Sequence, residues 1–395
     1  MNPHKVAVIS PGSFVLPSGR SSSVERVIEK MVPLASGNLD IRIYGRTGKD
    51  VPLKEMLGPV SCCRVPGGSA YLPSILRHLR AWRPNTVDVH NRPMLACRLK
   101  QRLPHSEIWL TLHSTTFIQE KNFPKPGGME VLAPLDGILV NSHFLKRELL
   151  RRFPELQVPV EVNHLGVSPE DFIPRWSPLG DSLRRARLEE FGWSGRKIVL
   201  YIGRLIPEKG VHYLLSAVRS VIRREPDALF LIAGSAYYGS SRETTYVRSL
   251  KEMAQGVREH VVFLPFTPYP QISDWYNLAD LVVVPSGQDE AFGLVNLEAM
   301  ASGVPVIAAR TGGIPEIIEH GHTGILIDPE ELSDGLGAAI EKILGDPELA
   351  VSMGIAGYEA ARGRFLWTHA ASRWSRLMTQ RSGADLSPAR ISVNR

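Results

Sequence analysis

The chain has 395 residues, enough for two domains that each bury a core of their own. Its 43% apolar and 22% charged residues are ordinary for a globular protein, and no apolar run reaches membrane-spanning length. The net charge of +6 is uneven: residues 1–175 hold 23 Lys and Arg against 15 Asp and Glu, whereas residues 176–395 hold 23 against 25, so an anionic partner, or simply a solubilising surface, is expected on the first half.

Taken in order, Lys5 to Ser10 reads as a strand, and the apolar run after Lys5 is expected to be that strand rather than a signal peptide. A polar loop from Pro11 to Ser23 leads into helical periodicity from Val24 to Leu34. The opening lacks GxGxxG, which argues against a dinucleotide oxidoreductase. The cysteines, Cys62, Cys63 and Cys97, form neither a disulfide framework nor a CxxC metal pair, and they suit a reducing cytoplasm. Ser74 to Trp82 reads as a helix with Ile75, Leu76, Leu79 and Trp82 on one face and Arg77, His78, Arg80 and Arg83 opposite. His143 to Phe153 is a second basic helix, with Asn141-Ser142 as its cap. Such helices either pack on a sheet or lie on an anionic membrane. Thr86 to Val89 and Glu107 to Leu112 are strands ending at His90 and His113. Gly137 to Val140 is another. Pro, Ser and Gly between Ser168 and Gly180 read as a linker.

In the second half, Lys197 to Ile202, Leu229 to Ala233, Val261 to Leu264 and Leu281 to Val284 are apolar runs bounded by turn residues, the pattern of buried strands. Arg204 and Lys209 lie in the loop opened by Gly203, before an amphipathic helix from Val211 to Ile222. A forked donor and a point charge at that place suit a diphosphate. Gly293 opens a helix that Gly303 stops, and the free N–H groups near Leu294 and Val295 suit a phosphate. Glu298, one turn in and leaning back, suits a ribose diol. Glu290 faces whatever lies beyond the phosphate. Thr311 to Glu316 is a glycine loop before a helix, with Pro315 near its first position, or only a turn.

The unbroken phrase EAFGLVNLEAMASGVPV, Glu290 to Val306, places two glutamates with seven residues between them. It resembles the retaining glycosyltransferases of family 4, and the resemblance runs from about Val6 to about Met378. It implies a GT-B fold: α/β, two Rossmann-like domains facing across a cleft. The expected division is an acceptor-binding domain at 1–175, a nucleotide-sugar-binding domain at 176–364, a helix crossing back at 365–380 and a flexible tail at 381–395. The phrase from Asn163 to Val167 sits where the family crosses between domains. GRLIPEKG matches the family's phosphate loop at Arg204 and Lys209. Pro265 and Phe266 match its nucleobase site, and Phe292 and Gly293 fall in the donor phrase. His113 matches a histidine placed against the donor sugar, with His90 a candidate on the acceptor side. Where the family has two glycines before the first helix, this chain has Ser21 and Ser22, followed by Ser23; these are candidates for the acceptor loop.

The resemblance therefore implies glycosyl transfer with retention from a nucleotide-diphosphate sugar, a UDP-sugar favoured. Arg204 and Lys209 would stabilise the leaving diphosphate without a metal, there being no DxD-type triad beside them, and no cofactor is expected. An anionic or lipid-linked acceptor, peripheral membrane contact and a cytoplasmic site of action are further expectations, with no nucleic-acid partner. Two rivals stay open. One is a UDP-sugar 2-epimerase of the same architecture. The other is a non-catalytic coat or envelope protein, since LPSGRSSSVE is similar to a phrase of spore-coat members.

Overall fold

A computed structural model describes residues 3–17, 23–119, 127–237, 243–269 and 271–380. Ser21, Ser22 and the tail at 381–395 lie outside the described residues. Among the described residues fourteen strands form two sheets. The first contains β1 (His4–Ile9), β2 (Leu39–Arg46), β3 (Lys54–Leu57), β4 (Val60–Val65), β5 (Thr86–His90), β6 (Glu107–Leu112), β7 (Gly137–Val140) and β8 (Val160–Val162). The second contains β9 (Lys197–Ile202), β10 (Ala228–Ala233), β11 (Val261–Leu264), β12 (Leu281–Val284), β13 (Val306–Ala309) and β14 (Ile325–Ile327).

The strand orders are β3-β4-β2-β1-β5-β6-β7-β8 and β11-β10-β9-β12-β13-β14. Among the described residues only β3 pairs antiparallel with its neighbour. Strands covered on both faces read as continuous apolar runs, and β10 and β12 are buried at every position. In both sheets the strand order reverses beside the first strand, at β1/β5 and at β9/β12. Ligands of doubly wound sheets bind at the carboxyl ends of the strands at that reversal. The loops after β1, β5, β9 and β12 are therefore the ones that matter.

The chain crosses between the sheets twice, and the crossings touch. Val167 N–H donates to Phe365 O at 2.8 Å, and Trp367 N–H donates to Val167 O at 3.3 Å. The final helix, Trp367–Thr379, then returns to the first sheet. There Trp374 Nε1 donates to Asp88 at 2.7 Å and Thr86 donates to Met378 O at 2.9 Å.

One expectation needs correction. Residues 168–180 are not a free linker. Phe172 is 3% exposed and packs edge-on against Tyr269 and Tyr276, and Asp171 pairs with Lys30 at 2.7 Å. Pro178, within the stretch read as a linker, is in the first turn of the helix Pro178–Glu190, capped by Ser177. The glycine loop at 311–316 leads into a single 3₁₀ turn, Ile314–Glu316, with Pro315 in its first positions, the shorter of the two readings. The two basic helices bury their apolar residues: Tyr71–Trp82 buries Ile75, Leu76, Leu79 and Trp82, and His143–Arg152 buries Leu145 and Leu149. No helix among the described residues is long and apolar enough to cross a membrane.

Candidate active site

A cavity of about 260 Å³ lies between the sheets and is lined from both domains. Its floor on the second domain begins after β9. Tyr201 Oη donates to Arg204 O at 2.9 Å and shapes the turn that carries the exposed Arg204 along the cavity wall. The turn Pro207–Lys209 ends at Gly210, φ +69°, where a Cβ would stand 1.8 Å from Pro285 O. Only glycine permits that approach, and it presses the loop against the end of β12. Lys209 Nζ consequently donates to the Glu290 carboxylate, which also accepts from Ser286 Oγ at 3.2 Å. Burial pushes the Glu290 carboxyl up, but Lys209, Ser286 and Arg204 more than offset it and hold the group below the usual carboxylate range. Glu290 is therefore ionised at neutral pH.

After β12 the chain passes Phe292 and reaches Gly293 at φ +97°, which starts the helix Leu294–Ala301. Phe292, Gly293, Leu294 and Val295 all line the cavity, as does Gly203. Glu298 is 5% exposed. Its Oε1 lies 3.0 Å from the Arg26 guanidinium of the first domain, and Oε2 accepts from Tyr276 Oη at 2.7 Å. Phe266 lines the cavity, but the expected Pro265 does not. Pro265 is exposed, and its carbonyl accepts from Thr267 Oγ1 at 3.4 Å.

From the first domain, Ser23, Arg26, Lys30, His113 and Asn141 line the same cavity. His90 does not face an acceptor. It is fully buried behind His113, with His90 Nδ1 2.9 Å from His113 Nε2. Period-two alternation puts it on the face of β5 that carries Asp88, and the returning helix covers that face. Burial, with His90 adjacent, lowers the His113 pKa to about 3, so that ring is neutral. Sequence reasoning missed Arg26, Lys30 and Tyr269. Both cations sit over the Tyr269 ring, at 5.1 and 5.0 Å, and Tyr269 Oη donates to Asp171. The available signal was the i, i+4 spacing of Arg26 and Lys30 on the polar face of Ser23–Met31, just after the cleft-facing loop.

A second cluster bridges the domains beside the cavity. Glu316, in the glycine loop, accepts from the backbone N–H groups of His143 at 2.8 Å and Phe144 at 2.7 Å, and His164 Nε2 lies 2.9 Å away. It thereby caps a helix of the opposite domain, together with Ser142, which accepts from Leu145 N at 3.0 Å. His143, His164 and Glu316 bring three potential metal-ligand atoms within 4.8 Å, but both carboxylate oxygens already accept hydrogen bonds.

A paired cation loop, two glutamates at a helix start and a cleft between two doubly wound sheets can be set beside known proteins. The family model described as "Glycosyl transferases group 1" matches residues 185–360. The Bacillus subtilis (strain 168) protein YtcC, itself named as a glycosyltransferase, is 31% identical over 369 residues, covering 93% of this chain and 90% of its own length. The chain belongs to the group 1 glycosyltransferases. Spore coat protein SA of the same organism is 27% identical, covering 93% of this chain and 97% of its own. Among solved structures, HepE from Anabaena in complex with UDP-glucose superposes with a TM-score of 0.76 at 19% identity, covering 94% of this chain and 98% of that one. The fold of this glycosyltransferase is GT-B, with the cavity at the carboxyl ends of both sheets.

Proposed function

We propose that this glycosyltransferase takes a sugar from a nucleotide-diphosphate sugar, a UDP-sugar favoured, and transfers it with retention at the anomeric carbon. The observation that carries the reading is the convergence of Arg204, Lys209, Glu290, Glu298 and the start of Leu294–Ala301 on one cavity. Glu298 receives the ribose diol, and the backbone N–H groups at Leu294 and Val295 receive a phosphate oxygen. Arg204 and Lys209 take the diphosphate. As the sugar–phosphate bond breaks, negative charge gathers on the departing phosphate, and cations fixed beside it stabilise that state more than the bound substrate. These two cations do the work without a metal, and no cofactor takes part. Glu290, ionised and oriented by Lys209 and Ser286, accepts hydrogen bonds from donor-sugar hydroxyls, with the neutral His113 ring on the opposite wall. The leaving phosphate assists deprotonation of the acceptor on the same face of the sugar.

The acceptor binds the first domain, which carries the positive excess, and is anionic or lipid-linked. Exposed Arg77, Arg80, Arg147 and Arg151 give that domain a surface suited to peripheral contact with an anionic membrane from the cytoplasmic side. The relationship to a spore coat protein supports a role in cell-surface or spore-envelope glycan synthesis. A thermal-shift screen of UDP-, GDP- and ADP-sugars, followed by turnover with the stabilising donor, tests the reading. Stabilisation by a UDP-sugar and transfer to an added acceptor are expected. No shift with any of them would favour a non-catalytic coat protein, and release of a free 2-epimer from the donor alone would favour an epimerase.

A further inference from the structure

Behind His113 runs a buried chain of groups that the transfer chemistry above leaves unused. Asp88, fully buried on β5, accepts from Thr111 Oγ1 at 2.5 Å and from the Trp374 indole N–H at 2.7 Å. His90 Nε2 lies 3.2 Å from Asp88 Oδ2, close to the carboxylate but off the line of a hydrogen bond, and His90 Nδ1 lies 2.9 Å from His113 Nε2. The two imidazole planes are 16° from parallel with centroids 5.1 Å apart. That separation leaves room for both ring radii plus the N···N distance, so the rings meet edge to edge and a lone pair of one faces an N–H of the other. The β5/β6 register sets His90 opposite Thr111, which brings His113 alongside. At the end of this series, His113 Nδ1 is buried and has no hydrogen-bond partner among the described residues, while His113 lines the cavity.

We propose that Asp88 and His90 are positioning residues that fix the tautomer of His113, with its proton on Nε2 and its Nδ1 left as an acceptor for a hydroxyl of the donor sugar. The sugar part rests on the reading above that the donor occupies this cavity. A neutral imidazole carries one donor and one acceptor. The charge of the Asp88 carboxylate, already met by Thr111 and Trp374 and 3.2 Å from His90 Nε2, favours the His90 proton on that nitrogen. His90 Nδ1 is then an acceptor, His113 must donate from Nε2, and Nδ1 keeps its lone pair. Trp374 ties this arrangement to the returning helix, so the end of the chain orients an imidazole in the first domain.

Histidine ¹⁵N spectra of the full-length wild-type protein read the tautomer directly. The expected result is an unprotonated Nδ1 and a protonated Nε2 on His113. A protonated Nδ1 overturns the proposal whatever the substrate. Asp88→Asn keeps the shape of the site but removes the charge that holds the His90 proton. The His113 Nδ1 signal should move toward the protonated form. kcat/KM for UDP-glucose should fall about 10–100-fold, as when an outer partner of a functional imidazole is lost, with the Kd for free UDP unchanged. Wild-type turnover in Asp88→Asn would also overturn the proposal. If Asp88→Asn does not fold, the wild-type spectrum still decides the tautomer. Wild-type protein that turns over no nucleotide sugar would sink the donor reading separately, leaving the tautomer to the spectrum.

Discussion

Arg26, on the first helix of one domain, reaches Glu298 of the other at 3.0 Å, while Tyr276 holds the second oxygen of the same carboxylate. The group best placed to receive a ribose is thus held from both sides of the cleft. A diol arriving at Glu298 Oε1 has to replace the guanidinium. Arg26→Ala should therefore tighten free UDP about 2–5-fold, since a partly exposed ion pair is worth about 0.5–1 kcal/mol. Calorimetric titration measures it. Weaker binding would mean that Arg26 contacts the bound nucleotide instead of competing with it.

The two glutamates should divide their labour. Glu298→Ala should weaken free UDP and the intact donor alike, by about 1.5–3 kcal/mol for a lost hydrogen bond to a charged group. Glu290→Ala should spare free UDP, because it releases the Lys209 ammonium to the diphosphate, yet it should lower turnover of the sugar donor. The readouts are Kd for UDP and kcat for UDP-glucose in each variant. Equal losses of both quantities in both variants would remove the distinction.

Glu316 gives the domain contact a pH signature. Burial raises its pKa, but the hydrogen bonds from His164 and from the His143 and Phe144 backbones outweigh that and leave the folded value depressed. The unfolded chain takes up the proton first as pH falls, near the ordinary glutamate value of about 4.3. The stabilising contribution is therefore complete above that pH and is lost as pH drops through the lower folded value. Glu316→Gln should cost about 0.5–2 kcal/mol at pH 7, the scale of a helix cap. The difference from wild type should shrink below about pH 4. Chemical denaturation at several pH values checks both, and a pH-independent difference would mean that packing, not charge, is what the substitution removes.

The strands and the donor loops were legible because their signals are local. Lys197–Ile202 and Leu281–Val284 are uninterrupted apolar runs with turn residues at each end. Arg204, Lys209 and Glu290 follow soon after those strand ends, and Glu298 lies about one turn into the helix that comes next. What was hidden depends on partners far along the chain. Arg26 and Glu298, or Glu316 and the helix start at His143, meet only because two domains face each other, and no spacing encodes that. His90 was misplaced for the same reason. A strand-end histidine faces the cleft or the interior according to what covers its face of the sheet, and here the returning helix does so, with Trp374 bound to Asp88 two residues away. Pro178 misled differently, since proline ends helices but also begins them.

Cations that meet the charge of the departing diphosphate are central to the proposed transfer, and Arg204→Ala tests their role most directly. Steady-state kinetics with UDP-glucose and a working acceptor should show kcat itself lowered by roughly 10²–10³-fold, as for other preorganised donors to a developing anion. Arg204→Lys should recover only part of the rate, because an ammonium does not reproduce the planar fork, and a chelator should leave the wild-type rate unchanged. If Arg204→Ala instead raised KM alone with kcat intact, Arg204 would be a uniform binding contact, and the proposed stabilisation of the leaving group would be contradicted.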